Sequence, residues 1–307
     1  MPWKTKVASG QEVKRQAKSP LRSPAPVGSV CDMRLLFLGD IVGKPGRMAV
    51  TQNLPRLRQD LGLDFVVANG ENAAGGSGIT TAIANELTEA GVDGITLGDH
   101  VWDQRGFAEE IDRLEKVCRP ANLAPQCPGR RFLVIENDGV RLGVYTLLGR
   151  SFMRMQADCP FRAADALDRE LRDFCDVRMI EVHAETTSEK IALGWYLDGR
   201  AALVVGTHTH VPTADAAILP RGTAYHTDAG MTGPYESVLG REIQPILLKY
   251  LDGMPRRWPI ATGDIRLCGT LVDFDPREGY ATEVRQMAIP AETSSATVEA
   301  ETDGNGE

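Results

Sequence analysis

The chain of 307 residues lacks several features that would assign it to other classes of protein. No apolar run approaches the length needed to cross a bilayer, and the N-terminus has no apolar signal core. The six cysteines show no CxxC spacing, which is typical of reduced thiols rather than of a disulfide framework. We therefore expect a cytoplasmic protein that does not depend on a membrane.

Basic residues are also scarce over most of the chain. The formal net charge is −8, yet residues 1–32 hold six of the 34 Lys and Arg and only two of the 42 Asp and Glu. The rest of the chain is therefore more acidic than the net charge suggests. An acidic body argues against a large nucleic-acid surface, but it leaves room for a small phosphate ester bound in a pocket with cations.

The pattern along the chain predicts one domain between two tails. Residues 1–32 are rich in Lys, Arg, Ser and Pro and predict a disordered basic tail, whereas residues 291–307 predict a disordered acidic tail. Between them, over 33–290, short apolar runs alternate with amphipathic helical segments. This alternation predicts a layered α/β core.

Histidine is rare as well, with five residues, but four of them lie in short polar clusters that follow apolar runs. Other polar residues follow the neighbouring predicted strands in the same way. The candidate metal ligands are Asp40, Glu71, Asn72, Asp99, His183, His208 and His210. Because ligands of α/β sheets bind at the carboxyl ends of strands, we expect these side chains to converge on one site.

Carboxylate, amide and imidazole groups together suit ions such as iron, manganese or zinc, and no cysteine lies in these clusters. Seven ligands exceed what one ion with an open position needs, so we predict two metal ions. Iron and manganese are the first candidates, and zinc and magnesium are alternatives. Two-metal sites promote in-line displacement at phosphorus. His100, beside Asp99, is then the predicted general acid, because imidazole titrates near neutral pH.

Each motif taken alone has a simpler interpretation. Gly39-Asp40 could be a turn, Glu71-Asn72 a loop cap, and His208 and His210 a surface pair. All of these interpretations would have to hold together at successive strand ends, which favours a metal site.

Other polar residues are assigned supporting roles. Arg150 is a candidate substrate-binding residue, with a structural ion pair as its alternative. Asp215 and Asp228 could orient ligand histidines or cap turns. His226 is interpreted as a packed or supporting histidine rather than as a ligand.

The ordered motifs resemble the YmdB-like metallophosphoesterases, a branch of the calcineurin-like superfamily. The resemblance covers roughly residues 33–290. The motifs include Gly39-Asp40, Gly98-Asp99-His100 and His208-Thr209-His210 and lie within residues 33–43, 69–76, 98–103, 119–122, 149–153, 183–190, 206–215 and 227–234. The resemblance implies a four-layer α/β/β/α sandwich, a dinuclear metal centre and phosphodiesterase activity, in some members on cyclic nucleotides. It also places the seven candidate ligands at metal-binding positions and His100 at the position of proton donation or phosphate contact.

One residue departs from the family pattern. The family usually has Asn in a Gly-Asn-His motif, and this chain has Asp99. Aspartate can still bind a metal but cannot donate an amide N–H to a phosphate. We therefore expect retained metal binding with a changed metal preference or a weaker phosphate contact.

The sequence thus predicts a metal-dependent phosphodiesterase, with a 2′,3′-cyclic nucleotide as a candidate substrate. A phosphomonoesterase or nuclease is an alternative within the enzymes. A phosphoester-binding regulatory protein that acts without turnover is an alternative outside them. As partners we expect a small phosphodiester or nucleotide, and further copies of the chain in a homo-oligomer.

Overall fold

The computed structural model describes residues 32–292, and all of them belong to one compact unit. The predicted basic tail lies outside the described residues except for Asp32. The predicted acidic tail lies outside them except for Ala291 and Glu292, where the N–H of Ala291 donates to the carbonyl of Ile265.

Six α-helices and fourteen strands are formed by the described residues. The helices are α1 Gly43–Leu61, α2 Thr81–Glu89, α3 Phe107–Glu110, α4 Pro160–Leu171, α5 Thr187–Leu197 and α6 Ile243–Asp252. The strands of the first sheet are β1 Met33–Leu38, β2 Asp40–Ile41, β3 Phe65–Asn69, β4 Gly94–Thr96, β5 Val117–Cys118, β12 Met231–Pro234, β13 Ile265–Phe274 and β14 Ala281–Pro290. The strands of the second sheet are β6 Leu133–Asn137, β7 Val140–Leu148, β8 Val177–His183, β9 Leu203–Thr207, β10 Ala217–Ile218 and β11 Ala224–His226.

The first sheet has a parallel half that is built from β1, β3, β4 and β5. Its register places Leu35 beside Phe65, and β13 pairs antiparallel with the other edge of β1. In the second sheet, β7, β8, β9 and β11 are parallel, and β6 and β10 are antiparallel edge strands. Parallel strands that share a sheet end at the same edge, so both sheets present a row of carboxyl ends.

The residues of β1 show why the sheets are stacked. Leu35 and Phe37 pack into the apolar cluster between the two sheets, whereas Leu36 and Leu38 pack into a cluster with the helices. Successive side chains of a strand point to opposite faces, so an apolar run of this kind is buried on both sides.

Three apolar clusters separate four layers. The first lies between α1, α2 and the first sheet, and the second lies between the sheets. The third lies between the second sheet and helices α4 and α5, where Leu167, Leu193 and Val204 meet. This arrangement confirms the predicted four-layer α/β/β/α sandwich.

Local signals of the sequence account for several element boundaries. Helix α1 ends at Leu61, and the next residue, Gly62, caps it. Gly62 adopts a left-handed conformation and donates its N–H to the carbonyls of Arg58 and Gln59. The β6–β7 hairpin turns at Asp138 and Gly139, both of which have positive φ angles. The sequence Asn137-Asp138-Gly139 between two apolar runs predicts a hairpin turn, and the structure confirms it.

Two predicted helices are shorter in the structure. The apolar spacing of residues 105–116 predicts a helix, but the structure has only α3 there, followed by a 3₁₀ turn at Ile111–Arg113. The mixed pattern of residues 237–252 also predicts a helix, but α6 begins only at Ile243, because a tight turn between Val238 and Arg241 precedes it. Among residues 32–292, no helix combines the length and apolar character needed to cross a bilayer.

Candidate metal centre

The predicted ligands lie where strands of both sheets end. In the first sheet, Asp40 opens β2 directly after β1, Glu71 follows β3 and Asp99 follows β4. In the second sheet, His183 is the last residue of β8 and His208 follows β9. The convergence that the sequence predicts is therefore built from the facing edges of two sheets.

Four of these side chains form a compact cluster. One potential ligand atom each of Glu71, Asp99, His183 and His208 lies within 4.8 Å of the others. The Nε2 atom of His183 is 3.1 Å from Glu71 Oε1 and 3.0 Å from Asp99 Oδ1, and His208 Nδ1 is 3.2 Å from the same Asp99 oxygen. Mixed carboxylate and imidazole donors at this spacing can surround a transition-metal ion.

Gly98 makes this close approach possible. A Cβ atom at this position would lie 2.1 Å from Glu71 Oε2 and 2.4 Å from His183 Nε2. Any side chain here would therefore displace two of the ligands. The glycine before Asp99 is required by packing rather than by a turn.

A buried hydrogen-bond chain determines the tautomer of His183. The hydroxyl of Thr207 donates to Glu181 Oε1 at 2.6 Å and lies 2.9 Å from His183 Nδ1. Since its proton goes to Glu181, Thr207 accepts from Nδ1–H of the histidine. The Nε2 atom therefore faces Glu71 and Asp99, where it can share a proton with these carboxylates or, as the neutral ring, bind a metal cation.

Glu181 is held by further donors. Asn69 Nδ2 donates to its Oε1 atom at 2.6 Å, and Thr146 donates to its Oε2 atom at 2.9 Å. All three side chains are fully buried. The carboxylate is therefore a rigid acceptor beneath the ligand histidine.

Two more predicted ligands have buried oxygens without partners. Asp40 Oδ1 and Asn72 Oδ1 have no hydrogen-bond partner among residues 32–292, while Asp40 Oδ2 accepts the backbone N–H of His208 at 3.2 Å. Buried polar atoms are rarely left unpaired in native proteins. Oxygens left free in this way beside the cluster fit a metal site.

The charges of the cluster support the same interpretation. Burial raises the pKa of Asp40 well above its usual range. Burial lowers the pKa of His183, but the carboxylates of Glu71 and Asp99 have the opposite effect and raise it well above its ordinary value overall. Burial also raises the pKa of Asp99, but hydrogen bonds from His183 and His208 outweigh this effect and lower it. Concentrated buried negative charge attracts either protons or metal cations.

His210, another predicted ligand, is held as a neutral imidazole. Burial lowers its pKa to about 4. Its Nδ1–H donates to the carbonyl of Leu239 at 3.2 Å, which leaves Nε2 with a free lone pair. Both His208 and His210 have positive φ angles, 89° and 63°. Such backbone strain in non-glycine residues is concentrated at functional sites.

The loop that carries these histidines is anchored from below. Asp228 accepts hydrogen bonds from the N–H and the hydroxyl of Thr209. Its Oδ2 atom also lies 2.6 Å from Nζ of Lys190, and both charged side chains are buried. Asp228 therefore holds the loop of His208 and His210 through Thr209, and its Oδ1 atom also accepts the N–H of Gly230 in a local turn.

Asp215 and His226 have structural contacts. Asp215 accepts hydrogen bonds from Thr213 and Thr227 and stabilises a loop. His226 is buried between the hydroxyl of Thr270 and the carbonyl of Thr213, each at 2.8 Å. His226 is thus a packed histidine outside the ligand cluster.

His100 lies beside the cluster and is held at one ring nitrogen. Its Nδ1 atom is 2.6 Å from Asp103 Oδ2 and 3.2 Å from Ser77 Oγ, and its backbone N–H donates to Glu71 Oε2 at 3.2 Å. The ring is partly exposed, and His100 lines the cavity above the ligands. Its other nitrogen is available for a substrate.

The cavity has a volume of about 460 Å³, which suits a small ligand. Its polar lining consists mainly of Glu71, Asn72, Ser77, His100, Glu185, His208 and His210. Arg150 does not belong to this lining. It is exposed, and its backbone N–H donates to Glu189 at 3.0 Å. Substrate binding by Arg150 stays a prediction.

Sequence reasoning missed four supporting residues: Asp103, Glu181, Lys190 and Thr207. An acidic residue three positions after His100 is a local signal that could have identified Asp103. A charged residue within the apolar strand β8 is a similar signal for Glu181. Lys190 and Thr207 acquire their roles only through contacts between distant segments.

The chain has extensive similarity to known proteins. A family profile described as YmdB-like protein matches residues 36–287. The chain is 44% identical over 257 residues to the 2′,3′-cyclic-nucleotide 2′-phosphodiesterase of Bacillus subtilis strain 168, and the match covers 84% of this chain and 97% of that protein.

Solved structures agree over the same region. A hypothetical protein from Thermus thermophilus has a TM-score of 0.79 at 43% identity, with 85% of this chain and 100% of that chain covered. A novel phosphatase from Mycoplasma pneumoniae has a TM-score of 0.80 at 32% identity, with 86% of this chain and 95% of that chain covered. The similarity therefore includes both sheets and the ligand loops.

Proposed function

The chain belongs to the YmdB-like protein family, and we propose from this membership that it is a metal-dependent phosphodiesterase that hydrolyses 2′,3′-cyclic nucleotides. The observation that carries the proposal is the buried carboxylate–histidine cluster at the floor of a nucleotide-sized cavity. The activity of the Bacillus subtilis relative supports the substrate class.

We propose that the cluster holds two metal ions. The residues that would bind them are Asp40, Glu71, Asn72, Asp99, His183, His208 and His210. Iron or manganese suits this mixture of oxygen and imidazole donors, with zinc and magnesium as alternatives. When bound, the ions would stabilise the negative charge that develops on the phosphoryl oxygens.

His100 is the proposed proton donor to the departing alkoxide. Asp103 accepts from Nδ1 and fixes the ring, so a proton on the opposite nitrogen can pass to an oxygen in the cavity. Asp103 is thus the positioning residue for His100.

A phosphomonoesterase is the second candidate. The similarity to a phosphatase from Mycoplasma pneumoniae favours it, because the same ligand set can serve either ester. A cytoplasmic location and assembly into a homo-oligomer stay predictions.

The test combines metal analysis with a phosphoester panel. Purified protein should contain more than one metal ion per chain and hydrolyse 2′,3′-cyclic AMP faster than nucleoside monophosphates. His183→Ala and His208→Ala should lose metal and activity, whereas His100→Asn should keep its metal and lose about a hundredfold to ten-thousandfold in kcat. His226→Gln is the matched control, because it changes a buried histidine outside the cluster.

Activity that survives both ligand substitutions would contradict the metal-dependent function. A monophosphate preference would favour the phosphomonoesterase. Nucleotide binding without any product would indicate the regulatory alternative.

A further inference from the structure

One wall of the cavity is apolar and aromatic, although the floor is polar. Leu239, Tyr250 and Trp258 line this wall. These residues are unusually exposed for large apolar side chains: 51% of Leu239, 83% of Tyr250 and 36% of Trp258 are accessible to solvent. Metal binding does not require these residues, and they are too exposed to contribute much to the core.

The wall is attached to the ligand loops through Arg241. Its guanidinium donates to the carbonyls of Gly75 and Gly76 and to the carbonyl of Trp258, at 3.1, 2.8 and 2.9 Å. A Cβ atom at Gly76 would lie 2.3 Å from Arg241 Nη2, so this glycine makes room for the guanidinium. Because residues 75–76 follow the ligand loop of Glu71, the position of Trp258 is fixed relative to the metal cluster.

A second attachment comes from the other ligand loop. The carbonyl of Leu239 accepts from the ring of His210. The N–H of Glu242 donates to the carbonyl of Pro259 at 2.9 Å and joins the two segments that carry the wall. The wall and the ligand floor are therefore one built site.

Lys249 orients the indole ring of Trp258. Its ammonium lies 3.9 Å from the ring centroid, within the range of a cation–π contact. Tyr250 is the next residue of α6 and lines the same cavity. Tyr250 is thus held by helix α6, and Trp258 is held by its contacts with Arg241 and Lys249.

We propose that this wall, defined as Leu239, Tyr250 and Trp258, binds the nucleobase of the substrate while the cyclic phosphate lies at the ligand cluster. The inference rests on the proposed phosphodiesterase function. Aromatic side chains stack on any base, because every base has a π face. The wall therefore selects nucleotides over base-free phosphodiesters.

The experiment compares 2′,3′-cyclic AMP with methyl riboside 2′,3′-cyclic phosphate, which has the same ribose and cyclic phosphate but no base. In Tyr250→Ala and Trp258→Ala, kcat/KM for cyclic AMP should fall about fivefold to thirtyfold, mainly through KM. The base-free substrate should be hydrolysed at the wild-type rate. Tyr280→Ala and Trp195→Ala are the matched controls, since both residues are exposed and neither lines the cavity.

The two levels of the proposal fail differently. Wild-type protein that hydrolyses neither cyclic phosphate would overturn the phosphodiesterase function and the base site with it. Equal losses on both substrates, or no loss on either, would overturn the base site alone. Unchanged kinetics with a shift in oligomeric state would also overturn it and would assign the wall to contacts between copies of the chain.

Discussion

Replacing Thr207 with valine isolates the contribution of the hydrogen-bond chain beneath the metal ligands. Valine has nearly the same shape as threonine, but it lacks the hydroxyl that donates to Glu181 and accepts from His183. The substitution removes the hydroxyl that accepts Nδ1–H of a fully buried histidine, and the next acceptor, Glu181 Oε1, is 3.7 Å away. The neutral tautomer with a free Nε2 then loses its structural support.

The structure allows the size of this effect to be estimated. A buried group left without its partner costs about 1–3 kcal/mol. Glu181 keeps Asn69 and Thr146 as donors, so only His183 loses a partner and the loss of stability should be about 1–3 kcal/mol. Removal of a group that orients a ligand histidine typically lowers metal affinity by about tenfold to a hundredfold. We expect Thr207→Val to weaken metal binding by that factor.

Thr146→Val is the matched control. Thr146 also donates to Glu181 from a fully buried position, but its hydroxyl has no contact with His183 among those that the structure describes. Metal titration by calorimetry, together with thermal unfolding with and without metal, separates the two effects. Equal metal affinity in both variants would refute the orientation of His183 by Thr207.

Two further predictions concern charge. Asp99→Asn removes the carboxylate that lies 3.0 Å from His183 Nε2, so the affinity for divalent metal should fall. The new amide N–H can donate to the phosphate, so KM for the phosphodiester should also fall. Metal analysis and kinetics check both effects, and an unchanged rate and metal dependence would contradict the prediction. Burial lowers the pKa of His226 in the folded protein, so the unfolded chain takes up a proton at higher pH than the folded chain does. The free energy of unfolding should therefore fall as the pH drops below about 6.5. The melting temperature of the wild type should fall more between about pH 7.5 and about pH 5.5 than that of His226→Gln, and parallel losses would contradict this assignment.

The order of strands, helices and ligand clusters could be predicted from local patterns. Short apolar runs between helical segments indicated β1, β3 and β9, and the polar residues directly after these runs indicated the candidate ligands. The helix predicted near 105–116 was wrong in length, because Phe107, Ile111 and Leu114 reach the core from a short helix and a turn. Apolar spacing reports burial, but it does not report how the backbone between buried residues is hydrogen-bonded.

The layered α/β class and the ligand candidates follow from local sequence patterns, since both depend on residues that are neighbours along the chain. The preparation of these candidate ligands for metal depends instead on contacts between distant segments. The tautomer of His183 depends on Thr207, 24 positions away, and the aromatic wall is placed by the contact of Arg241 with Gly76, 165 positions away. Contacts of this kind arise from the packing of two sheets and their loops, and no local period in the sequence encodes them.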